Sequence, residues 1–201
     1  TSTAMTCLAS KSAVEAIATT VLTRPSSPTL TSLTPRDWPY WPRYNGKTAN
    51  KYGSMDRARI PSACLAALDA LALAAVPFIG DSFIDYDLHA AGLHMMPPGG
   101  FLARHLDAEC HPIRPWRRTH SIVMSVNSEW CDEFGGQLWI DGELTVTPSA
   151  GTAVVFATPG QLHEVQPVRL HAPRWRKTLA LFAWQVDDNC TGDTAANFGG
   201  M

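Results

Sequence analysis

HMMPPGGFLARHLD, residues 94–107, reads as two short strands around a tight Pro-Gly turn. PPGG at 97–100 is a hairpin connector and not a phosphate loop, because no helix follows it. Side chains two apart on a strand share a face, so His105 and Asp107 point together while Leu106 points away. His163 completes the group and is expected to arrive from a later strand on the opposing sheet. Two imidazoles and one carboxylate on one face of a metal ion leave its other positions open. That suits non-haem Fe(II), which must bind a cosubstrate and dioxygen as well as the protein. A lone buried His is ordinarily a satisfied core residue, and His89, His94, His111, His120 and His171, which show no comparable partner pattern, are read that way.

Outward from this stretch the pattern stays that of strands. Candidates are 83–88, 92–96, 101–106, 119–126, 136–140, 144–147, 152–157, 163–168 and 177–184, separated by Pro, Gly and Asp-Gly turns. Many short strands favour a barrel or sandwich. Upstream, SKSAVEAIATTVL (10–22) has helical spacing and should end before Pro25. In the loop from about 23 to 60, Pro35, Pro39 and Pro42 exclude regular helix. Pro61 then opens an apolar helix, SACLAALDALALAAV, expected to pack on the outside of the sheet. The organisation expected is an N-terminal helix or trimmed targeting remnant over 1–22, a Pro/Trp-rich loop with its supporting helix over 23–79, the catalytic core over 80–185, and a Gly- and Asn-rich loose tail over 186–201.

A chain of 201 residues, 45% hydrophobic, buries a full core alone. Its formal net charge of −2 gives no global basic field to recruit nucleic acid or an anionic membrane. No run of eighteen or more apolar residues is present, and Ala63 to Val76 is too short to span a bilayer, so no membrane role is expected. The five cysteines (7, 64, 110, 131 and 190) are odd in number and include no CxxC pair. They resemble neither a disulfide scaffold nor a zinc knuckle, and favour a soluble intracellular protein in a reducing compartment. The Ala-, Ser- and Thr-rich start, with Glu15 its only acid, leaves organelle targeting open.

Six words follow one another: HMMPPGGFLARHLD, RTHSIVMSVNSEW (118–130), FGGQLWI (134–140), TPSAGTAVVF (147–156), LHEVQPV (162–168) and RWRKTLALFAW (174–184). Their order and spacing resemble the Fe(II)/2-oxoglutarate-dependent dioxygenases, within them the prolyl-hydroxylase-like branch, over roughly residues 80 to 185. The resemblance implies a mainly β fold with flanking helices, a double-stranded β-helix of the jelly-roll, cupin-like form. It also implies Fe(II) on His105, Asp107 and His163, with 2-oxoglutarate and O2 as cosubstrates and ascorbate as an aid. The reaction implied is hydroxylation of a C–H bond, with release of succinate and CO2.

In that family the distal carboxylate of 2-oxoglutarate pairs with a cation deep in the barrel, where bidentate guanidinium pairing is strong. The Arg-x-Ser/Thr pattern of the last strand falls on Arg176 and Thr178. Arg174 has the same parity and is the runner-up; Lys177 points the other way and ranks third. Two family aromatics are absent: Ser125 stands where a tyrosine often reaches the distal carboxylate, and Met96 or Leu102 matches a second. Ser121, Ser125 or Thr178 is left to supply the missing hydrogen bond.

Gly135-Gly136 is read as a tight turn or close backbone approach, Asn127 as a turn cap and Trp130 as core. Residues 24–59 hold seven cations against two acids, a net +5 that leaves −7 for the remainder. Trp38, Tyr40, Trp41, Tyr44 and Tyr52 lie among cations such as Arg43, a mixture suited to gripping an acidic peptide or stacking on a base. Trp38, Trp41 and Arg43 are the substrate-binding candidates, against the plainer alternative of a solvated loop packed on the helix. Three functions remain: a hydroxylase of a prolyl or similar residue in a peptide or protein, the same chemistry on a small metabolite or nucleobase, and a non-catalytic jelly-roll binding module. Nucleic acid is not the favoured partner, and oligomeric state is not legible.

Overall fold

The computed structural model of the chain describes residues 5–7, 18–21, 40–44, 49–53, 62–85, 91–141, 144–158 and 160–192. In chain order its elements are β1 (Met5–Cys7), β2 (Ala18–Val21), β3 (Tyr40–Tyr44), β4 (Ala49–Gly53), α1 (Ser62–Ala75), β5 (Phe83–Ile84), β6 (Gly92–Met96), β7 (Leu102–His105), β8 (Trp116–Ser125), β9 (Leu138–Ile140), β10 (Leu144–Val146), β11 (Thr152–Ala157), β12 (His163–Val165) and β13 (Arg176–Val186). The larger antiparallel sheet runs β1-β2-β11-β8-β13-β6-β4-β3, with β5 also paired to β13; the smaller runs β10-β9-β12-β7. This is the expected jelly-roll arrangement, two sheets with a helix on the outer face of the larger.

Both faces of the larger sheet are buried. Outside, Leu68, Leu71 and Ala75 of α1, spaced along one helical stripe, pack on Leu93, Met95, Ile122, Met124, Leu179 and Leu181. Inside, Met96, Val154 and Phe156 meet Leu138, Ile140 and Val165 of the smaller sheet. Burial on two sides explains why residues 179–184 form an unbroken apolar run, whereas β12 alternates buried and half-buried residues. Helix α1 ends at Ala75, two residues before Pro77, whose missing N–H and fixed ring do not fit a helix interior.

Four expectations for segments outside the His105, Asp107 and His163 group need correction. The helix expected over 10–22 is not one at its C-terminal end, because Ala18–Val21 is strand β2; residues 10–17 lie outside the described residues. Thr19, Thr20 and Val21 are β-branched, and pairing with β11 satisfies that strand's otherwise open edge. The loop expected over 23–60 contains the β3–β4 hairpin, which docks on β6 through Lys51↔Met95 and Tyr52↔His94. Proline excludes helix but not an edge strand, and Pro42 lies in β3, at the end of the sheet order. PPGG does not close a hairpin either. Strands β6 and β7 belong to different sheets, and the turn crosses between them with Gly99 N–H on the Val168 carbonyl at 2.8 Å and Val168 N–H on the Gly100 carbonyl at 2.9 Å.

The fourth correction concerns the cysteines and the tail. Cys110 and Cys190 form a disulfide across 80 residues of sequence, while Cys131 is an exposed free thiol. Spacing alone could not show this pair, because folding alone lays the end of β13 beside residues 109–117. There Arg117 bridges Glu109 and Asp187 at 2.9 and 2.7 Å, and Asp187 N–H donates to the Pro115 carbonyl. Residues 186–190 are therefore anchored and not loose. The bond also removes the ground for a reducing compartment, since disulfides persist where conditions are oxidising. No helix among the described residues is long and apolar enough to cross a membrane.

Candidate metal centre

His105 ends β7 and His163 begins β12, and the two are directly opposite one another in the smaller sheet. His163 thus comes from the neighbouring strand of the same sheet, not from the opposing one. A cross-strand pair brings two side chains on one face within contact, and the ring centroids are 4.2 Å apart. Asp107, two residues beyond β7, turns Oδ1 to 3.5 Å from His105 Nε2 and 3.7 Å from His163 Nε2. The three residues have one ligand atom each within 4.8 Å of the others, and this is the one such group among the described residues.

The backbone sets which nitrogen of each imidazole faces inward. His105 Nδ1 is 2.8 Å from the Ala103 carbonyl, and His163 Nδ1 is 3.1 Å from the Gln161 carbonyl. A carbonyl only accepts, so each Nδ1 carries a proton and each Nε2 is the nitrogen turned toward Asp107. Both rings are therefore oriented to ligate a metal through Nε2. Burial works against the charge on Asp107, but the hydrogen bond with His105, the charges of His163 and Arg118, and the Ser121 hydroxyl outweigh it and hold the carboxyl far below the usual carboxylate range. Burial likewise pushes His163 down, toward the neutral form that coordinates. Two imidazole nitrogens and one ionised carboxylate fit Fe(II).

The two arginines of the last strand differ sharply. Arg176 is 2% exposed, and its Nε donates to the Gly136 carbonyl at 2.7 Å while Nη1 lies 3.3 Å from Thr178 Oγ1. Burial lowers its pKa to about 10, so it stays charged at neutral pH. Arg174 is at the surface, paired with Glu129 at 3.2 Å and Ser128 at 3.0 Å. Ser125 and Thr178 are buried cross-strand partners of β8 and β13, and Met96 is the β6 partner of Arg176. Gly135 and Gly136 have φ of 71° and 72°, and a Cβ on Gly136 would stand 2.9 Å from Arg176 Cδ. Asn127 fastens the turn to β13, accepting from Lys177 N–H at 2.6 Å and donating to the Lys177 and Pro148 carbonyls; Trp130 is buried core.

Other candidates fall elsewhere. The Ser121 hydroxyl donates to Asp107 Oδ2 at 2.5 Å instead of facing the Arg176 end of the barrel. Arg118, unremarked in the sequence, lies 3.5 Å from the same oxygen. It is the buried one of two adjacent arginines near the start of β8, and nothing in the sequence separates it from Arg117. Trp41 and Arg43 lie on β3, opposite Tyr52 and Asn50; Trp38 is outside the described residues.

The model of the 2OG-Fe(II) oxygenase superfamily matches residues 91–184. A crystal structure of a Pseudomonas putida prolyl-4-hydroxylase is 31% identical, covering 72% of this chain and 76% of that one, with a TM-score of 0.54. Two further structures agree in fold. One is a prolyl hydroxylase from Trichoplax adhaerens in complex with a hypoxia inducible factor oxygen degradation domain peptide fragment, at 18% identity, 71% and 66% coverage and TM-score 0.55. The other is a 2OG-Fe(II) oxygenase family oxidoreductase from Burkholderia pseudomallei, at 20% identity, 77% and 75% coverage and TM-score 0.54. No curated protein matches the sequence. The chain belongs to the 2OG-Fe(II) oxygenase superfamily, and it is a dioxygenase. Membership implies Fe(II), 2-oxoglutarate and O2.

Proposed function

We propose that this dioxygenase hydroxylates a prolyl or similar residue of a peptide or protein. The observation that carries the proposal is the 31% identity to a prolyl-4-hydroxylase over most of both chains, together with the His105, Asp107 and His163 group. His105 and His163 would hold Fe(II) through Nε2 and Asp107 through Oδ1. The bound iron, with 2-oxoglutarate and O2, supplies the oxidation that places oxygen in a C–H bond while the keto acid leaves as succinate and CO2.

The chain's own residues bind, orient and exclude water. Arg176 is the cation for the distal carboxylate of 2-oxoglutarate: it is buried, charged, and held by Gly136 through Nε. Its remaining donors, with the hydroxyls of Thr178 and Ser125, then meet the carboxylate in a site dry enough for a charge-assisted pair to count. The surface pairing of Arg174 with Glu129 favours Arg176 over it for that role. Met96 and Phe156 belong to the apolar packing between the sheets that keeps this interior dry. Trp41 and Arg43, on the cationic and aromatic hairpin, are proposed to contact the peptide, with Trp38 just before them. Ascorbate would act only to keep the iron reduced.

Succinate release measured with Fe(II), 2-oxoglutarate and ascorbate against prolyl peptides, other peptides, free amino acids and oligonucleotides tests the proposal. Stimulation by prolyl peptides, with the peptide gaining the mass of one oxygen atom, is expected. Stimulation by a metabolite or oligonucleotide alone would move the substrate class, and no succinate under any condition would favour a binding module.

A further inference from the structure

Asp107 uses its two carboxylate oxygens differently. Oδ1 faces the two imidazoles, while Oδ2 accepts from Ser121 Oγ at 2.5 Å and lies 3.5 Å from Arg118 Nη1. Ser121 and Arg118 are three apart on β8, and in a regular strand an odd separation sends side chains to opposite faces. The register explains how both reach one oxygen. Strand β13 pairs Ala183 with His120 but Trp184 with Arg118, so Thr119 is an extra residue and β8 carries a bulge there. A bulge re-aims the side chains beyond it. The Arg118 guanidinium is then held over Phe182, 3.8 Å from the ring centroid, and 5.2 Å from that of Trp184. Thr158 Oγ1, 3.2 Å from Ser121 Oγ, fixes the hydroxyl from the other side.

We propose that Arg118 and Ser121, brought together by the bulge at Thr119, are positioning residues that grip Asp107 by Oδ2 and turn Oδ1 alone toward the metal position. The proposal rests on the metal-site assignment above. Its consequence is coordination number: a carboxylate free to rotate can offer both oxygens, and the second would occupy a position that a facial three-residue site must leave open. A short hydrogen bond to a carboxylate oxygen is charge-assisted and directional, so Ser121 sets the angle. The stacked guanidinium, broader than an ammonium and fixed by two rings, keeps the carboxylate from swinging back.

Anaerobic Co(II) titration of the whole chain, followed by visible absorption, tests this without turnover. The wild type is expected to take up Co(II), and His105→Ala to lose it. Ser121→Ala, a one-atom deletion, should bind on the order of tenfold to a hundredfold more weakly, the range for residues that orient a ligand, and its Co(II) band should change shape. Arg118→Gln should produce the same change of band; if that variant does not fold, Ser121→Ala carries the test alone. Wild-type affinity and an unaltered band in Ser121→Ala, while His105→Ala is silent to Co(II), would overturn the clamp and leave the metal site standing. No Co(II) uptake by the wild type, or its persistence in His105→Ala, would overturn both.

Discussion

Gly136 accepts the Arg176 Nε–H on its carbonyl at 2.7 Å, and its own missing side chain is what lets Arg176 lie there, since a Cβ would stand 2.9 Å from Arg176 Cδ. The glycine also has φ of 72°. Gly136→Ala therefore adds a clash to backbone strain, at a cost of about 1–3 kcal/mol. A lower melting temperature and a raised 2-oxoglutarate requirement are expected together. Wild-type values for both would show that Arg176 has room to move.

Arg176→Ala removes a buried charge from the proposed cosubstrate site, whereas Arg174→Ala removes an exposed pair worth about 0–1 kcal/mol. The half-saturating 2-oxoglutarate concentration should rise on the order of tenfold to a hundredfold in the first, since a hydrogen bond to a charged group contributes roughly 1.5–3 kcal/mol. It should move a few-fold at most in the second, with Fe(II) affinity little changed in either. Reversed effects would put the cosubstrate on the other arginine.

His105→Ala, Asp107→Ala and His163→Ala are each expected to abolish succinate formation and Fe(II) binding, because a three-residue facial site does not survive loss of one donor. Zn(II) and Ni(II) should bind the wild type without supporting oxidation. Full turnover by any of the three variants would remove that residue from the site.

The double variant Trp41→Ala/Arg43→Ala should weaken peptide binding several-fold while leaving substrate-uncoupled 2-oxoglutarate decarboxylation intact. Salt should weaken the wild-type interaction if the peptide is acidic. Unchanged peptide affinity would return the β3–β4 hairpin to a structural part.

Cys110→Ser/Cys190→Ser opens a link spanning 80 residues. Such a link restrains the unfolded chain by about 2–4 kcal/mol. A matching fall in stability is expected in denaturant melts, reproduced by reducing the wild type. No difference between reduced and oxidised melts would mean that the ion pairs of Arg117 with Glu109 and Asp187 hold this region unaided.

The sequence by itself determined the strand series from 92 to 184, the outer helix, and the three grouped residues His105, Asp107 and His163. Each is a local signal: alternation, helical spacing, turn residues, and a fixed order of words. Arg176 was preferred to Arg174 only through the family pattern; that Arg176 is buried and Arg174 pairs with Glu129 at the surface is tertiary information. Tertiary structure alone decided the rest. His163 sits beside His105 because β12 pairs with β7, and Cys190 meets Cys110 because the end of β13 returns to the segment after Asp107. Arg118 joins Ser121 because β8 holds one residue more than its partner strand. Pairing partner, chain return and bulge are relations between segments distant in sequence, set by which edges and faces must be covered, and neither periodicity nor composition within one segment encodes them.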